Sequence, residues 1–417
     1  MSIITFPKGF LWGASTSAYQ VEGGNSGSAF WDWEQRKGWE PSGPAAGSWE
    51  RFEEDLACIK ALGLNAYRFS VEWSRVQPDS DRFDEAALER YLGWARRLRS
   101  EGIRPFVCLH HFSEPAWLLQ RHPEGWLGDA VPARFLRFAE RCAGVLREVV
   151  SDWVTFNEPM VFLVGAYGMG HFPPGRWLLL RPRVFSRAVA SMARAHNEAY
   201  RLLHRLQSDC RAGFAQNVAA IDPSRPGDEE AAAWWDRFMH RDFIDQTRDR
   251  MDFLGVNYYT RIFAHRSLLS PLPGRVVPGY AELEAGVGRL AFRLLGGRAG
   301  EGQPTDMGWE VHPEGLARVV SALWKEYAKP IVILENGIAD ANGARREAFI
   351  RDHLAALAAA MKQGAEVQGY FHWSLMDNYE WGSYRPRFGL HSRERKPSPG
   401  AGFYGRVART GELESHG

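Results

Sequence analysis

The feature that most constrains this chain is a regular alternation of short apolar runs with longer segments of helical periodicity. Eight runs rich in β-branched and aromatic residues recur: FLWGAST (10–16), NAYRFSV (65–71), RPFVCLH (104–110), WVTFNEP (153–159), AGFAQNVAAI (212–221), DFLGVNYYT (252–260), PIVILENG (330–337) and VQGYFHWSL (367–375). Amphipathic segments separate many of them, at 49–63, 88–102, 135–150, 185–206, 313–328 and 346–364. Strands of this type, joined through helices and lacking strict polar alternation, predict a parallel sheet covered on its faces.

Eight such units in 417 residues predict an α/β fold, a (β/α)8 TIM barrel with enlarged βα loops. We expect a single domain over residues 1–417, because no fixed-period repeat or low-complexity linker divides the chain. A doubly wound open sheet is the alternative fold, but no GxGxxG motif follows the first strand. The least regular segment, 261–303, is rich in Gly, Pro and Arg and is predicted to form a lid or wall over the functional site.

Composition argues against several classes of protein. Lys and Arg total 51 against 50 Asp and Glu, so no basic surface for nucleic acid is expected. The four cysteines show neither disulfide nor zinc-finger spacing, which suits a reducing cytoplasm. No signal-like N-terminal stretch occurs, and no apolar run approaches the ~20 residues of a membrane span. We therefore expect a cytoplasmic protein that binds neither nucleic acid nor membranes.

Polar and aromatic residues stand at the end of nearly every predicted strand. In a (β/α)8 barrel, the C-terminal ends of the strands form the active site. The residues at these ends are Tyr19, Gln20, Glu22, Arg68, Glu72, His110, His111, Phe112, Asn157, Glu158, Asn257, Tyr258, Tyr259, Glu335, Asn336, His372, Trp373 and Ser374. Their convergence on one face predicts a catalytic pocket.

Two glutamates, Glu158 and Glu335, end the fourth and seventh predicted strands and would face each other across the barrel mouth. Glycoside cleavage needs such a pair, with carboxyls ~5–5.5 Å apart if the anomeric configuration is retained. Arg68 on the second strand is expected to keep Glu335 ionised for nucleophilic attack. Partial burial and the nearby negative charge would keep Glu158 protonated. The alternative is that each glutamate forms a structural ion pair with an arginine.

Other polar groups near the strand ends suggest sugar binding. His110, His111 and Glu114 match neither HExxH nor its inverted form, so a histidine donating to a sugar hydroxyl is favoured over a metal site. We expect no metal and no cofactor. Strand alternation allows only one of Tyr258 and Tyr259 to reach the pocket.

Aromatic residues with a neighbouring carboxylate point to the same chemistry. Glu380 and Trp381 follow the eighth strand, where the carboxylate could accept two sugar hydroxyls and the indole could cover the sugar's C–H face. A solvated loop position is the alternative for Glu380. Trp309, in MGWE (307–310), lies outside the predicted strands, where a leaving group could stack.

Six motifs together resemble the β-glucosidase family, glycoside hydrolase family one. They are WGASTSAYQVEG (12–23), YRFSVEWSR (67–75), TFNEP (155–159), FLGVNYYTR (253–261), ILENG (333–337) and FHWSLMDNYEWG (371–382). The resemblance covers residues from about 5 to 390. It implies retaining hydrolysis of β-linked glycosides, with Glu158 as acid/base and Glu335 as nucleophile.

The resemblance also implies a set of substrate contacts. These are Gln20, His111, Asn157, Glu380 and Trp381 on the non-reducing sugar, Asn257 and Tyr259 on the sixth strand, Trp373 as floor, Trp309 as aglycone platform and Phe388 near O6. In relatives that act on 6-phosphorylated sugars, a small hydroxyl residue replaces the carboxylate found here at Glu380. The resemblance therefore implies unphosphorylated substrates.

We expect a retaining exo-β-glycosidase that releases glucose, and also galactose or fucose, from small β-glycosides or oligosaccharides. A transglycosylase on the same scaffold and a non-catalytic sugar-binding barrel are the alternatives. A phosphate-binding isomerase or aldolase is disfavoured, because no strand ends in a lysine and no glycine-rich phosphate loop follows the seventh or eighth strand. The sequence does not predict the oligomeric state.

Overall fold

Eight parallel strands close into a barrel in the computed structural model, which describes residues 2–266, 275–278 and 304–415. Barrel strands 1 to 8 are, in chain order, Leu11–Ser15, Ala66–Ser70, Arg104–His110, Asp152–Asn157, Arg211–Pro223, Phe253–His265, Ile331–Asn336 and Val367–Trp373. Each strand pairs with the next, and strand 8 pairs with strand 1, which closes the ring. The predicted (β/α)8 barrel is confirmed, and the alternative of an open sheet is wrong.

Helices connect the strands and cover the outside of the barrel. The longer ones are Ala29–Lys37, Ser48–Leu62, Glu85–Ser100, Ala130–Leu146, Pro182–Leu206, Glu229–Asp236, Pro313–Tyr327, Arg346–Lys362 and Ala401–Thr410. Shorter helical segments are Ala18–Val21, Trp73–Val76, Ala116–Arg121, Gly125–Leu127, Pro159–Leu163, Val164–Gly168, Arg237–Arg241 and Asp242–Thr247. All six predicted helical segments are present, with ends displaced by up to five residues.

The fourth strand ends earlier than the sequence predicts. It stops at Asn157, and Glu158 has left-handed backbone angles, φ 45° and ψ 58°. Pro159 then begins a short helix, a position that proline tolerates because it lacks an N–H. The left-handed conformation is costly for a residue with a side chain. Glu158 therefore lies at a corner between strand and helix, and its side chain does not follow the alternating directions of the strand side chains.

Aromatic and aliphatic side chains fill the interior of the barrel, on the side of the N-terminal ends of its strands. Phe106 packs edge-on against Phe371 and Phe253, with ring centroids 5.0 and 6.1 Å away. The remaining members of this cluster are Leu11, Ala66, Cys108, Val154, Ala215, Val332 and Leu334, all buried. Gly13 is required beside Phe371, because a Cβ there would lie 2.3 Å from the ring. The barrel interior is thus a packed core.

Within the described residues, three short strands lie outside the barrel ring. Ser2–Thr5 and Glu412–Ser415 pair antiparallel, which joins the two ends of the described chain. Arg275–Pro278 pairs antiparallel with the outer end of strand 6. The predicted lid, 261–303, thus begins as a continuation of strand 6, while residues 267–274 and 279–303 lie outside the described residues. In the described part of the chain, no helix is both long enough and apolar enough to span a bilayer.

Truncating Phe106 to alanine should destabilise the protein by about 3–5 kcal/mol, because the enclosed barrel bottom cannot collapse around the lost ring. The shift in the urea unfolding midpoint measures this cost. Ile3→Ala is the control, since Ile3 is 64% exposed and its loss should change stability by less than about 0.5 kcal/mol. Equal shifts for the two variants would contradict the account of a packed barrel interior.

Candidate active site

Glu158 and Glu335 lie in the barrel mouth at the ends of strands 4 and 7, and both side chains are buried. Asn257 of strand 6 lies next to both glutamates. Its Nδ2 donates to Oε1 of Glu158 at 2.8 Å, and its backbone lies in register with that of Glu335. The hydroxyl of Tyr259, also from strand 6, donates to Oε2 of Glu335 at 2.6 Å. One strand therefore supplies a donor to each carboxylate.

Arg68 joins three strands from a position that is completely buried. Its Nη1 donates to Oε1 of Glu335 at 2.5 Å, and its Nη2 donates to Oδ1 of Asn157 at 2.6 Å. The same Asn157 oxygen accepts from Asn257 Nδ2 at 3.0 Å. A buried guanidinium is tolerated only when a carboxylate and further acceptors satisfy it. The arginine therefore holds the ends of strands 4 and 7 at a fixed separation from strand 2.

The two carboxyls have different electrostatic environments. Burial raises the pKa of Glu158 to about 7, and the negative charge of Glu335 adds to this effect. Amide donors from Asn217 and Asn257 act in the opposite direction, followed by the positive charge of Arg68. Burial also raises the pKa of Glu335, but here the Arg68 guanidinium and the Tyr259 hydroxyl oppose the rise. Glu158 is thus the carboxyl suited to carry a proton near neutrality.

A second carboxylate group forms the opposite side of the pocket. Oε2 of Glu380 accepts from Nε2 of Gln20 at 3.3 Å, and Oε1 accepts from Nε1 of Trp373 at 3.2 Å. Burial raises the pKa of Glu380 to about 8, which these two donors partly offset. Because strands 1 and 8 are neighbours, the contacts tie the first and last loops of the barrel together.

His111 lies between the two polar groups. Its Nε2 accepts from Nδ2 of Asn157 at 3.0 Å, which leaves the proton of the neutral ring on Nδ1. Burial, followed by the positive charge of Arg68, lowers the pKa of His111 well below its usual value. The His111 ring lies nearly parallel to the indoles of Trp373 and Trp381, with centroids 5.8 and 6.3 Å away.

An aromatic wall stands beside Glu335. The ring of Tyr259 lies 5.4 Å from the indole of Trp309 and 6.1 Å from the ring of Phe388. Trp309 and Phe388 are themselves 6.2 Å apart.

The substrate contacts implied by the family resemblance, together with Arg68, therefore fall into one of these connected groups at the barrel mouth. Other predicted strand-end residues have partners elsewhere: Glu22 contacts Arg75 and Tyr91, Glu72 accepts from Ser74 and Ser113, and Asn336 accepts from Tyr370.

Comparison with known proteins identifies the family. The family model described as glycosyl hydrolase family 1 matches residues 2–247 and 237–412. The chain belongs to glycosyl hydrolase family 1. A β-galactosidase from Pyrococcus woesei is 30% identical, with 94% of each chain covered. The relatives of this chain are named β-glucosidases and β-galactosidases, and the chain is accordingly a glycoside hydrolase.

Solved structures of similar proteins share the whole architecture. The β-glycosidase from Pyrococcus horikoshii is 32% identical with a TM-score of 0.88, covering 99% of this chain and 96% of its own. A β-glucosidase from Thermotoga maritima in complex with deoxynojirimycin is 25% identical with a TM-score of 0.87. That match covers 98% of this chain and 100% of the other.

This family 1 hydrolase has two pairs of adjacent residues, His110 with His111 and Tyr258 with Tyr259, in which one side chain faces the pocket and the other packs away from it. His110 is packed among aromatic side chains, and its Nε2 lies 3.3 Å from Oε1 of Glu114, so it does not join His111. Tyr258 turns away from Tyr259 and donates to a backbone carbonyl outside the barrel. Among the described residues, no cluster of His, Cys, Asp or Glu could hold a metal ion.

Asn217 is a pocket residue that the sequence analysis did not select. It comes from strand 5, and its Nδ2 donates to Oε1 of Glu158 at 3.0 Å. A signal was present, because Gln216 and Asn217 interrupt an otherwise apolar run. An asparagine in the middle of a buried strand needs a partner, and here the partner is a carboxyl of the site.

Replacing Arg68 by methionine should lower kcat at least ~100-fold, since Glu335 loses the cation that favours its ionised form. The acid limb of the pH–rate profile should move to higher pH. Arg68→Lys keeps the positive charge but loses the planar guanidinium. Its acid limb should therefore lie closer to that of the wild type than the acid limb of Arg68→Met does. Profiles recorded with an aryl β-glycoside measure both effects. An unchanged acid limb in Arg68→Met would show that Arg68 does not control Glu335.

Amide substitution should stabilise the protein at high pH more at Glu158 than at Glu335. The folded-state pKa of Glu158 is raised, so stability falls as pH increases from about 4.5 to about 7. Glu158→Gln removes that loss and should raise Tm at pH 8 by roughly 2–5 °C, with the gain shrinking as pH approaches 4.5. The pKa of Glu335 is raised as well, so Glu335→Gln also removes such a loss, but it leaves the Arg68 charge buried without its carboxylate. Its Tm at pH 8 should therefore stay below that of Glu158→Gln.

Differential scanning calorimetry across this pH range measures both changes. A Tm at pH 8 that is higher for Glu335→Gln than for Glu158→Gln, or no rise for Glu158→Gln, would contradict the assignment of unequal environments.

Proposed function

We propose that the enzyme is a retaining exo-β-glycosidase acting on short, unphosphorylated β-glycosides, with Glu335 as nucleophile and Glu158 as acid/base. The observation that carries this proposal is the pair of buried carboxyls in unequal surroundings, joined by Asn257. A retaining mechanism requires one carboxyl ionised and the other protonated in the free enzyme. Arg68 and Tyr259 favour the ionised form of Glu335, whereas burial and repulsion favour the protonated form of Glu158.

In the first step, a carboxylate oxygen of Glu335 attacks the anomeric carbon and forms a glycosyl ester. The bond from that carbon to the aglycone oxygen breaks, and Glu158 transfers its proton to this oxygen. The aglycone leaves as an alcohol, and Glu158 becomes a carboxylate. Esterification removes the negative charge of Glu335, so the pKa of Glu158 falls and the group becomes a base.

In the second step, Glu158 accepts a proton from water as the water oxygen attacks the anomeric carbon. The ester bond to Glu335 breaks, which restores its carboxylate and the proton on Glu158. Two inversions at the same carbon return the β configuration. The rate should therefore fall as pH rises through about 7, because the free enzyme loses the proton on Glu158.

Sugar recognition is assigned to the polar groups around the two carboxyls. His111 Nδ1 and Asn257 Oδ1 are buried and have no hydrogen-bond partner within the described ranges of the chain. Buried polar atoms of this kind are unusual, and a sugar hydroxyl would satisfy them. Gln20, Asn157 and Glu380 supply further donors and acceptors.

The aromatic groups have complementary roles. Trp373 and Trp381 would cover the apolar faces of the ring, and Phe388 would close the site near O6. Glu380 supplies no positive charge for a phosphate group on the sugar and would repel one when ionised, above its pKa of about 8. The inhibitor-bound relative from Thermotoga maritima is consistent with a small sugar-like ligand here.

A leaving-group series separates the roles of the two glutamates. Glu158→Gln should lose about 10²–10⁴-fold in kcat/KM with poor leaving groups, and much less with an activated aryl glycoside that departs without protonation. Glu335→Gln should lose turnover with every leaving group, because no nucleophile remains. Equal losses across the series for Glu158→Gln would contradict its assignment as the acid.

Proton NMR of the first-formed sugar tests the stereochemistry. The β anomer should appear first, and an initial α anomer would exclude a glycosyl ester on Glu335. Adding an alcohol during turnover tests the related transglycosylase function, which requires glycosyl transfer to the alcohol to exceed hydrolysis.

A further inference from the structure

The segment that carries Trp309 is fastened to strand 6 beyond the barrel rim. Tyr258 and Thr260 lie on one side of the strand. The Tyr258 hydroxyl donates to the carbonyl oxygen of His312 at 2.6 Å, and the Thr260 hydroxyl donates to the carbonyl oxygen of Glu310 at 3.0 Å. Both contacts hold the main chain on the C-terminal side of Trp309.

Arg261, the next residue along the strand, holds the side chain of Glu310. Its Nε and Nη2 donate to the two carboxylate oxygens of Glu310 at 2.8 and 2.5 Å. Glu310 is 3% exposed, so its charge requires such a partner. A two-pronged contact of this type fixes both the distance and the plane of the carboxylate. Nη1 of Arg261 also lies 3.6 Å from Asp222.

The ion pair lies immediately beside the pocket wall. Glu310 directly follows Trp309, whose backbone N–H and carbonyl are both bonded to Thr305 in a tight turn. The Trp309 indole packs against Tyr259, which donates to Glu335. A shift of the Glu310 carboxylate would therefore be passed first to the indole. Within the described residues, neither Glu310 nor Trp309 donates to Glu158 or Glu335, whose hydrogen bonds come from Arg68, Asn217, Asn257 and Tyr259.

We infer that Arg261 and Glu310 are positioning residues that set the orientation of the Trp309 indole and thereby the selectivity for the leaving group. The inference rests on the proposed function, in which Trp309 is the aglycone platform. The favoured leaving groups are those with a flat apolar face, such as an aromatic ring or the C–H face of a second sugar. A purely structural ion pair would instead affect all substrates equally.

Comparison of p-nitrophenyl β-glucoside with β-glucosyl fluoride tests this inference, because fluoride has no face that could stack on Trp309. Glu310→Gln and Arg261→Lys should each lower kcat/KM for the aryl glucoside about 5- to 10-fold, the size of a lost aromatic contact. Both variants should remain within about twofold of wild type on the fluoride.

Glu53→Gln is the matched control. Glu53 is held by the same two-pronged contact from Arg97, at 3.0 and 3.1 Å, on the exposed outer surface of the barrel. Its removal should leave both substrates unaffected. Trp309→Ala should lose as much on the aryl glucoside as Glu310→Gln does, and combining the two should add little.

Equal losses on the two substrates, or no loss on the aryl glucoside, would overturn the inference. If Glu310→Gln does not fold, Arg261→Lys decides, because it keeps the charge and loses only the geometry of the fork. Failure of the proposed function would give a different result, because the wild-type enzyme would then hydrolyse neither substrate.

Discussion

The buried contact between Arg68 and Glu335 is the interaction on which the rest of the site depends. A guanidinium without solvent needs a carboxylate and well-placed acceptors, and the closed barrel supplies them from strands 4 and 7. Asn157 is fixed by the same contact and passes the constraint to His111 and Asn257. The positions of the amides that we propose to bind the sugar are therefore set by the charge that favours ionised Glu335. Binding geometry and electrostatics arise from one network.

The two carboxyls acquire different properties although the chain supplies the same residue type at both strand ends. Glu335 continues its strand and points toward a guanidinium and a phenol hydroxyl. Glu158 lies at a left-handed corner before Pro159 and receives only amide N–H groups. Burial acts on both, so the difference comes from the neighbours. Separation of pKa values by environment is the general route to an acid and a nucleophile on one scaffold.

Much of the fold and the core of the site could be predicted from the sequence, because local patterns specify them. Each of the eight apolar runs forms a barrel strand, and Glu158 and Glu335 could be placed at strand ends by position alone. Contacts that depend on tertiary packing could not be predicted in this way. Asn217 gains its role only when strand 5 approaches Glu158, and the pairing of Arg261 with Glu310 joins residues 49 positions apart. The resemblance to the family selects His111 over His110, whereas the residues alone do not show which of the two faces the aromatic core.

The central claim is that Glu158 carries its proton near neutrality because it is buried beside the charge of Glu335. Infrared difference titration of the carboxyl band measures this directly, with Glu158→Gln used to assign the signal. We expect an apparent pKa of about 7 in the wild-type enzyme and a lower value in Glu335→Gln, where the repelling charge is gone. A value near the ordinary 4.5 in the wild type, or one unaffected by Glu335→Gln, would contradict this claim.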